Sequence, residues 1–471
     1  MAAPPPDTAN RPHIALVPTP GLGHLIPLVQ LATQLLHSHN LTFTLFLMPF
    51  NHIKFNSILQ TLPGAIRVVL LPPVTIHDLP DDAMMETRAS TSFLRSLPAI
   101  HTSIKLLTES RKVSAMITDL CGTAAFGAAE EFGVPCYVFF TSNALVLSFM
   151  YSVRKLMEKR VGEFKDMVAP IKLPGCVAVH GSDLIDSVQV RSNDLYKGTL
   201  MLAESYNSAA GILVNSCSEL EAGAFKALND PKLNKPPVYA IGPLVQTGSA
   251  AECDADDECL TWLDQQPNRS VVFVSFGSGG TLSQGQMNEL AFGLESSGVR
   301  FLWVMRSPND KVASGNYFNN SEDSRDEVLD FLPNGFLERT RDVGLAVSKW
   351  VAQVAILGHG AIGGFLTHCG WNSALEGIGQ GVPLIAWPLY AEQRMNAALL
   401  TDGLGVAIRV RPDVDGVVRQ GEIVRCVEGL FEGEELRKRM VEVQWDVLGA
   451  MSEGGSSKKS TSEVVKMWKS S

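Results

Sequence analysis

The chain has 471 residues, 45% apolar, 19% charged and 7% aromatic, a globular composition that excludes a disordered, collagenous or disulfide-scaffold protein and is long enough for two lobes. Asp plus Glu number 49 against 39 for Lys plus Arg, and this net charge of −10, with no basic stripe to offset it, excludes nucleic acid and anionic membranes as partners. No run reaches the roughly 18 uncharged apolar residues of a membrane helix.

The opening Met1-Ala-Ala-Pro-Pro-Pro has neither the basic nor the apolar region of a secretion signal, and the eight cysteines are scattered without metal or redox spacing. A monomer in the reducing cytoplasm is expected. Without a secretory route, the glycosylation-like triplets at Asn40, Asn268 and Asn319 carry no weight.

In chain order, residues 13–17 form a strand-like apolar run, Pro18-Thr-Pro-Gly-Leu-Gly23 a Gly-rich turn, and 25–36 a helix by spacing. Strand-like runs follow at 41–48, 66–71, 113–118 and 134–140, with helical patterns between them, as at 124–132. This alternation predicts an α/β fold with a doubly wound parallel sheet. A second cycle at 270–276, 301–305, 363–367 and 383–387 predicts a second lobe of the same kind. The acid-rich stretch Glu252-Cys-Asp-Ala-Asp-Asp-Glu258 reads as a solvated connector, which places an N-terminal lobe at 1–245, a linker at 246–260 and a C-terminal lobe at 261–452. Residues 307–330 read as a long surface loop, and Glu453-Gly-Gly-Ser-Ser precedes a short amphipathic tail, 453–471.

The densest cluster of unusual residues runs from Trp350-Val-Ala-Gln353 through Thr367-His-Cys-Gly-Trp-Asn-Ser373 to Tyr390-Ala-Glu-Gln393. A strand entering a Gly turn and a helix start aims backbone N–H groups and a positive dipole end at an anion. His368, Asn372 and Ser373 add donors suited to a diphosphate. On the residues alone, Ser373 and Glu376 read equally well as a capping box, His368 as a core histidine, and Trp350 and Trp371 as core aromatics.

This segment resembles the signature box of plant family 1 UDP-sugar-dependent glycosyltransferases, with Gln353, His359, Glu376, Gly381-Val-Pro383, Pro388 and Gln393 at matching places. The likeness extends to Pro20-Gly-Leu-Gly-His24 and Val274-Ser-Phe-Gly-Ser278, and is strongest to the branch that glucosylates simple phenols such as hydroquinone. The resemblance implies the GT-B arrangement of two Rossmann-like lobes facing a cleft, with the acceptor in the N-terminal lobe, the donor in the C-terminal lobe and the tail packed back on the N-terminal lobe. It implies Trp350 stacked on uracil and the Val351 backbone at its edge. Gln353 and Glu376 would hold the ribose, and Ser278, His368, Asn372 and Ser373 the diphosphate. Trp371 is grouped with these donor residues. Glu392 and Gln393 would hold sugar hydroxyls, the Gln393 amide both donating and accepting, with UDP-glucose as co-substrate and no cofactor or metal. Two departures stand out: Ala352 replaces the usual Pro and is expected to loosen the uracil-facing turn, and Glu392 replaces a common Asp.

Inverting transfer needs one general base and donors around the leaving diphosphate. No His/Cys ligand cluster for a metal is evident, and the Asp-x-Asp runs at 254–256 and 413–415 lie outside the strand-turn-helix segments. His24, after the first strand, is the best base, and Asp119, ending the strand 113–118, its orienting acid. A turn histidine and a helix N-cap are the bland alternatives. The helix start at His24 predicts a neutral ring near pH 7. Phe139, Thr141, Asn143 and Phe149 are candidate acceptor contacts or core. The expected product is a β-D-glucoside of a phenolic or indolic hydroxyl. The competing readings are a non-catalytic nucleotide-sugar sensor and a dinucleotide oxidoreductase. The latter is disfavoured because the Gly21-Leu-Gly23 turn lacks the third glycine of Gly-x-Gly-x-x-Gly.

Overall fold

The protein is described by a computed structural model covering residues 11–49, 58–60, 62–80, 83–158, 162–245, 258–315 and 325–470. Most of the expected linker lies outside the described residues, and its last part is already helical, in Glu258–Leu263.

The first sheet comprises β1 (His13–Val17), β2 (Thr42–Leu47), β3 (Ile66–Leu70), β4 (Ala115–Asp119), β5 (Cys136–Phe140), β6 (Gly211–Val214) and β7 (Val238–Ala240). All pair in parallel, in the order β3-β2-β1-β4-β5-β6-β7. The second comprises β8 (Val271–Ser275), β9 (Arg300–Val304), β10 (Gly344–Val347), β11 (Ile362–Thr367), β12 (Leu384–Ala386) and β13 (Ala407–Arg409), parallel in the order β10-β9-β8-β11-β12-β13. Helices cover both faces of the inner strands, so β1, β4, β5 and β8 are buried at every position and read as unbroken apolar runs. The edge strands β3, β10 and β13 are only partly buried.

In each sheet the strand order reverses once, between β1 and β4 and between β8 and β11, opening a crevice beyond the carboxyl ends of those strands. The first helix, Leu22–His39, begins earlier than its apolar spacing suggests, because Gly21 at φ 142° turns the chain into it with no side-chain cap. The expected helix at 124–132 is a 3₁₀ turn, Thr123–Ala125, followed by the short Phe126–Glu130. The surface loop expected at 307–330 contains the helix Arg325–Leu329, whose Val328 is buried in the second core.

The final helix, Ser456–Ser470, returns to the first lobe. Its Val464, Val465 and Trp468 join the core under β5 and β7, Trp468 lying edge-on to Tyr137 at 5.5 Å, and the Ser457 hydroxyl donates to the Gly242 carbonyl. No helix among the described residues is long and apolar enough to cross a membrane.

At the start of β1 the buried His13 ring lies 2.8 and 2.9 Å from the hydroxyls of Thr42 and Thr44 on β2. Burial, then the Arg111 and Arg67 charges, pushes its pKa down to about 3. Between that value and its ordinary 6.5 only the unfolded chain binds the proton, so stability is full above 6.5 and falls as pH drops through this window, by up to about 1.4 kcal/mol per unit. Urea midpoints at about pH 7 and pH 5 should therefore differ less in His13→Gln than in wild type. An unchanged difference would remove His13 from the acid response.

Candidate active site

The parallel register of β1 and β4 sets Val17 opposite Thr118, so the turn at Thr19 lies beside Asp119. Asp119 is fully buried. It accepts from the Thr19 backbone N–H (2.5 Å), the Thr19 hydroxyl (2.9 and 2.8 Å) and the Cys121 N–H (2.8 Å). His24, in the first turn of Leu22–His39, places Nδ1 3.4 Å from Asp119 Oδ1 and 3.2 Å from the Thr19 hydroxyl.

Burial disfavours charge on both side chains, but each is countered by the other. The His24 pKa is raised above 6.5 by the Asp119 charge and hydrogen bond, with Glu392 adding to the effect, and the Asp119 pKa is lowered by His24, Thr19 and Cys121. The helix start does not lower the ring's pKa as expected, because the adjacent carboxylate raises it. Nor does Asp119 cap a helix, since neither Thr123–Ala125 nor Phe126–Glu130 has a side-chain cap. Thr19, which ties the pair together, carried no signal in the sequence beyond its place in a Pro-rich turn.

At the second switch point β11 runs into His368, Cys369 in the left-handed region at φ 64°, Gly370 and the helix Trp371–Gly379. The His368 ring lies between two glycines: a Cβ on Gly277 would stand 2.6 Å from it, and one on Gly370 2.4 Å. Burial pushes its pKa down to about 4, so the ring is neutral, and its buried Nδ1 has no partner. Ser278, on the turn after β8, is half-buried beside it. Gly370 provides no side-chain cap, leaving the first N–H groups of the helix, near Asn372 and Ser373, for an incoming anion.

The capping-box alternative fails because the helix already begins at Trp371. Glu376 instead accepts from Gln353 Nε2 at 2.6 Å, and the same amide donates to the Ser373 hydroxyl at 3.0 Å. Burial pushes the Glu376 carboxyl up to about 7 despite that hydrogen bond. Next to this trio Trp350 is 53% exposed, as a stacking platform and not a core residue would be. Val351 is buried, and its carbonyl accepts from Gln353 N–H across Ala352. Ala352 sits at φ −75°, ψ 75°, an inverse γ-turn whose φ proline also adopts, so the departure from Pro keeps the turn.

Several expected residues are engaged elsewhere. Trp371 is buried with its indole N–H donating to the Asn215 carbonyl of the first lobe at 2.6 Å, so its side chain joins the lobes and does not face a donor. Asn372 reaches the Gly23 carbonyl, 3.2 Å, beside His24. Gln393 Oε1 accepts from the Leu389 and Tyr390 N–H groups, filling both lone pairs, so only its amide N–H₂ remains for a sugar. Glu392 Oε1 accepts from Asn396 at 3.2 Å and lies 3.5 Å from the Ser142 hydroxyl. Their turn, with Ala391 at φ 56°, is gripped from the first lobe by Asp186, which accepts from the Ala391 N–H and pairs with Arg394.

Of the acceptor candidates, Phe139 and Phe149 are fully buried in the cores on opposite faces of the first sheet. Asn143 caps Ala144–Glu158 through Val146 N–H and donates to Asn396, and Thr141 is buried at the sheet's carboxyl end. Phe139 lies in a strand buried on both faces, whose apolar run does not reveal which residues end in the crevice. Glu86, at the start of the helix Met85–Ser110, lies within the field of Asp186 and Glu392. Burial raises its pKa, and the Asp186 and Glu392 charges raise it further.

Comparison with known proteins gives the same arrangement. The profile described as UDP-glucoronosyl and UDP-glucosyl transferase matches residues 240–413. The hydroquinone glucosyltransferase of Rauvolfia serpentina is 48% identical over 465 residues, 98% of each chain. A Polygonum tinctorium UDP-glucosyltransferase capable of glucosylating indoxyl, solved with 3,4-dichloroaniline, is 44% identical with a TM-score of 0.90 over 98% of this chain and all of that one. Phytolacca americana UGT2, solved with UDP-2-fluoro-glucose and pterostilbene, is 43% identical with a TM-score of 0.87, covering 98% and 99%. The two sheets with their facing crevices are therefore the lobes of a GT-B enzyme, and the chain belongs to the plant family 1 UDP-glycosyltransferases.

Proposed function

We propose that the protein transfers glucose from UDP-glucose to the hydroxyl of a small aromatic acceptor, phenolic or indolic, with inversion to the β-D-glucoside. The observation that carries this reading is the His24–Asp119 pair, 3.4 Å apart at the first switch point, with the Gly23 carbonyl beside it bonded to Asn372 of the second lobe. The likeness to enzymes named for hydroquinone and indoxyl supports the acceptor class. The seven described free cysteines are consistent with a reducing, cytosolic setting.

Nδ1 of His24 is turned to Asp119 and Thr19, which leaves Nε2 for the acceptor hydroxyl. As the hydroxyl oxygen attacks the anomeric carbon from the face opposite UDP, Nε2 takes its proton and Asp119 stabilises the resulting imidazolium. The bond to the diphosphate breaks in the same displacement. The leaving charge meets the N–H groups opening Trp371–Gly379, with Ser278, His368, Asn372 and Ser373 as side-chain donors, so we assign no step to a metal. Uracil stacks on Trp350 with its edge at the Val351 backbone, Gln353 and Glu376 take the ribose hydroxyls, and Glu392 with the Gln393 N–H₂ takes the glucose hydroxyls.

His24→Ala should lower turnover of a weakly acidic alcohol by about 10² to 10⁴ while UDP affinity by calorimetry stays near wild type. Asp119→Asn should cost less with acidic phenols than with alcohols, and should move the acid limb of the rate profile to lower pH by removing what raises the His24 pKa. Unchanged alcohol turnover in His24→Ala would refute the mechanism.

Trp350→Ala should weaken UDP binding by about 1–3 kcal/mol and leave the melting temperature unchanged. A lost cooperative melt would instead make Trp350 a packing residue.

Ribose hydroxyls donate to a carboxylate, so binding should favour ionised Glu376, whose pKa in the empty site is about 7. Uridine, which lacks a titrating phosphate, should bind more tightly as pH rises from about 6 to 8, and Glu376→Gln should abolish the trend. A flat profile in wild type would count against the ribose contact.

A further inference from the structure

Among the described residues one group of three potential metal-ligating side chains converges: ligand atoms of His24, Asp119 and Cys121 all lie within 4.8 Å of one another. The transfer mechanism uses the first two and leaves the thiol without a task. We propose that these three side chains form an inhibitory site for a thiophilic divalent cation of the Zn²⁺ class. The inference rests on the reading of His24 as the acceptor base, because a cation on Nδ1 fixes the ring proton on Nε2 and so removes the lone pair that would take the acceptor proton.

One nitrogen, one carboxylate oxygen and one sulfur make a donor set that suits Zn²⁺, Cd²⁺ or Co²⁺ better than Mg²⁺ or Ca²⁺. The 3.4 Å between His24 Nδ1 and Asp119 Oδ1 is about the ligand-to-ligand edge left by a tetrahedral ion with bonds near 2.0–2.1 Å. Asp119 is already fixed by Thr19 and the Cys121 N–H, an outer shell that holds the carboxylate in place. Cys121 is exposed, whereas Cys136, Cys217, Cys259, Cys369 and Cys426 are buried.

The Asp119, Glu392 and Glu86 carboxylates act on the Cys121 sulfur. That negative field attracts a dication to the spot. On binding, the S–H bond breaks, sulfur becomes a thiolate ligand and the proton passes to solvent, with no change of oxidation state. Three protein ligands leave one position of a tetrahedral ion for water. The diphosphate site beyond Gly370 is untouched.

The test uses the full chain. Co²⁺ added without donor should give the near-ultraviolet thiolate-to-metal absorption, and Cys121→Ser, which keeps the backbone N–H to Asp119, should lose it. Zn²⁺ should inhibit transfer reversibly with chelator, competing with the phenol and not with UDP-glucose, and its half-inhibitory concentration should rise at least about tenfold in Cys121→Ser. No thiolate band in the wild type, equal inhibition of the variant, or competition with UDP-glucose would overturn the site. A band that depends on Cys121 in a protein without transferase activity would uphold the site while refuting the assigned function.

Discussion

A buried carboxylate organises the first lobe. Removing an ion from water costs several kcal/mol unless its lone pairs are met, and Asp119 meets them with the Thr19 N–H and hydroxyl, the Cys121 N–H and His24. Those partners come from the turn after β1 and the turn after β4, so one charge ties together the two strands between which the sheet order reverses. The crevice exists because of the topology. A charge is buried at its floor, and part of what satisfies that charge is the His24 imidazole at the crevice.

The second lobe reaches that point through contacts that are structural on one side and reactive on the other. Trp371 fastens the start of the diphosphate helix to Asn215, and Asn143 pairs with Asn396 beneath Glu392. Asp183 pairs with Arg409, and Asp186 holds the turn carrying Glu392 and Gln393. One apolar cluster continues across this boundary, from Phe140 and Leu147 to Leu375 and Met395. The donor residues are therefore positioned against the first lobe as much as by their own sheet.

Much of this was legible in the sequence where burial leaves a clear pattern. The unbroken apolar runs of β1, β4, β8 and β11 announce parallel strands, and the segment from Trp350 to Gln393 announces a diphosphate. The short strands β6, β7, β10 and β13 do not stand out, whereas the equally short β12 does, because apolar neighbours extend its run to 383–387. Which face of β5 a phenylalanine takes is not written in a run buried on both sides, so the choice between acceptor contact and core at Phe139 stayed open until its position in the core was seen. Gln393 shows a different limit: an amide can serve its own turn as readily as a ligand, and only geometry shows which lone pairs are used. The sign at His24 turned on a balance between a dipole and a carboxylate that only distance decides.

The last helix follows the second lobe in sequence but completes the first in space. During synthesis the chain emerges from its N-terminus, so the first lobe must wait through the whole second lobe with the apolar surface around Tyr137 and Tyr239 unsealed. The two lobes are thus separate in architecture but not in biogenesis. The first lobe's core is complete only once the helix Ser456–Ser470 has been made.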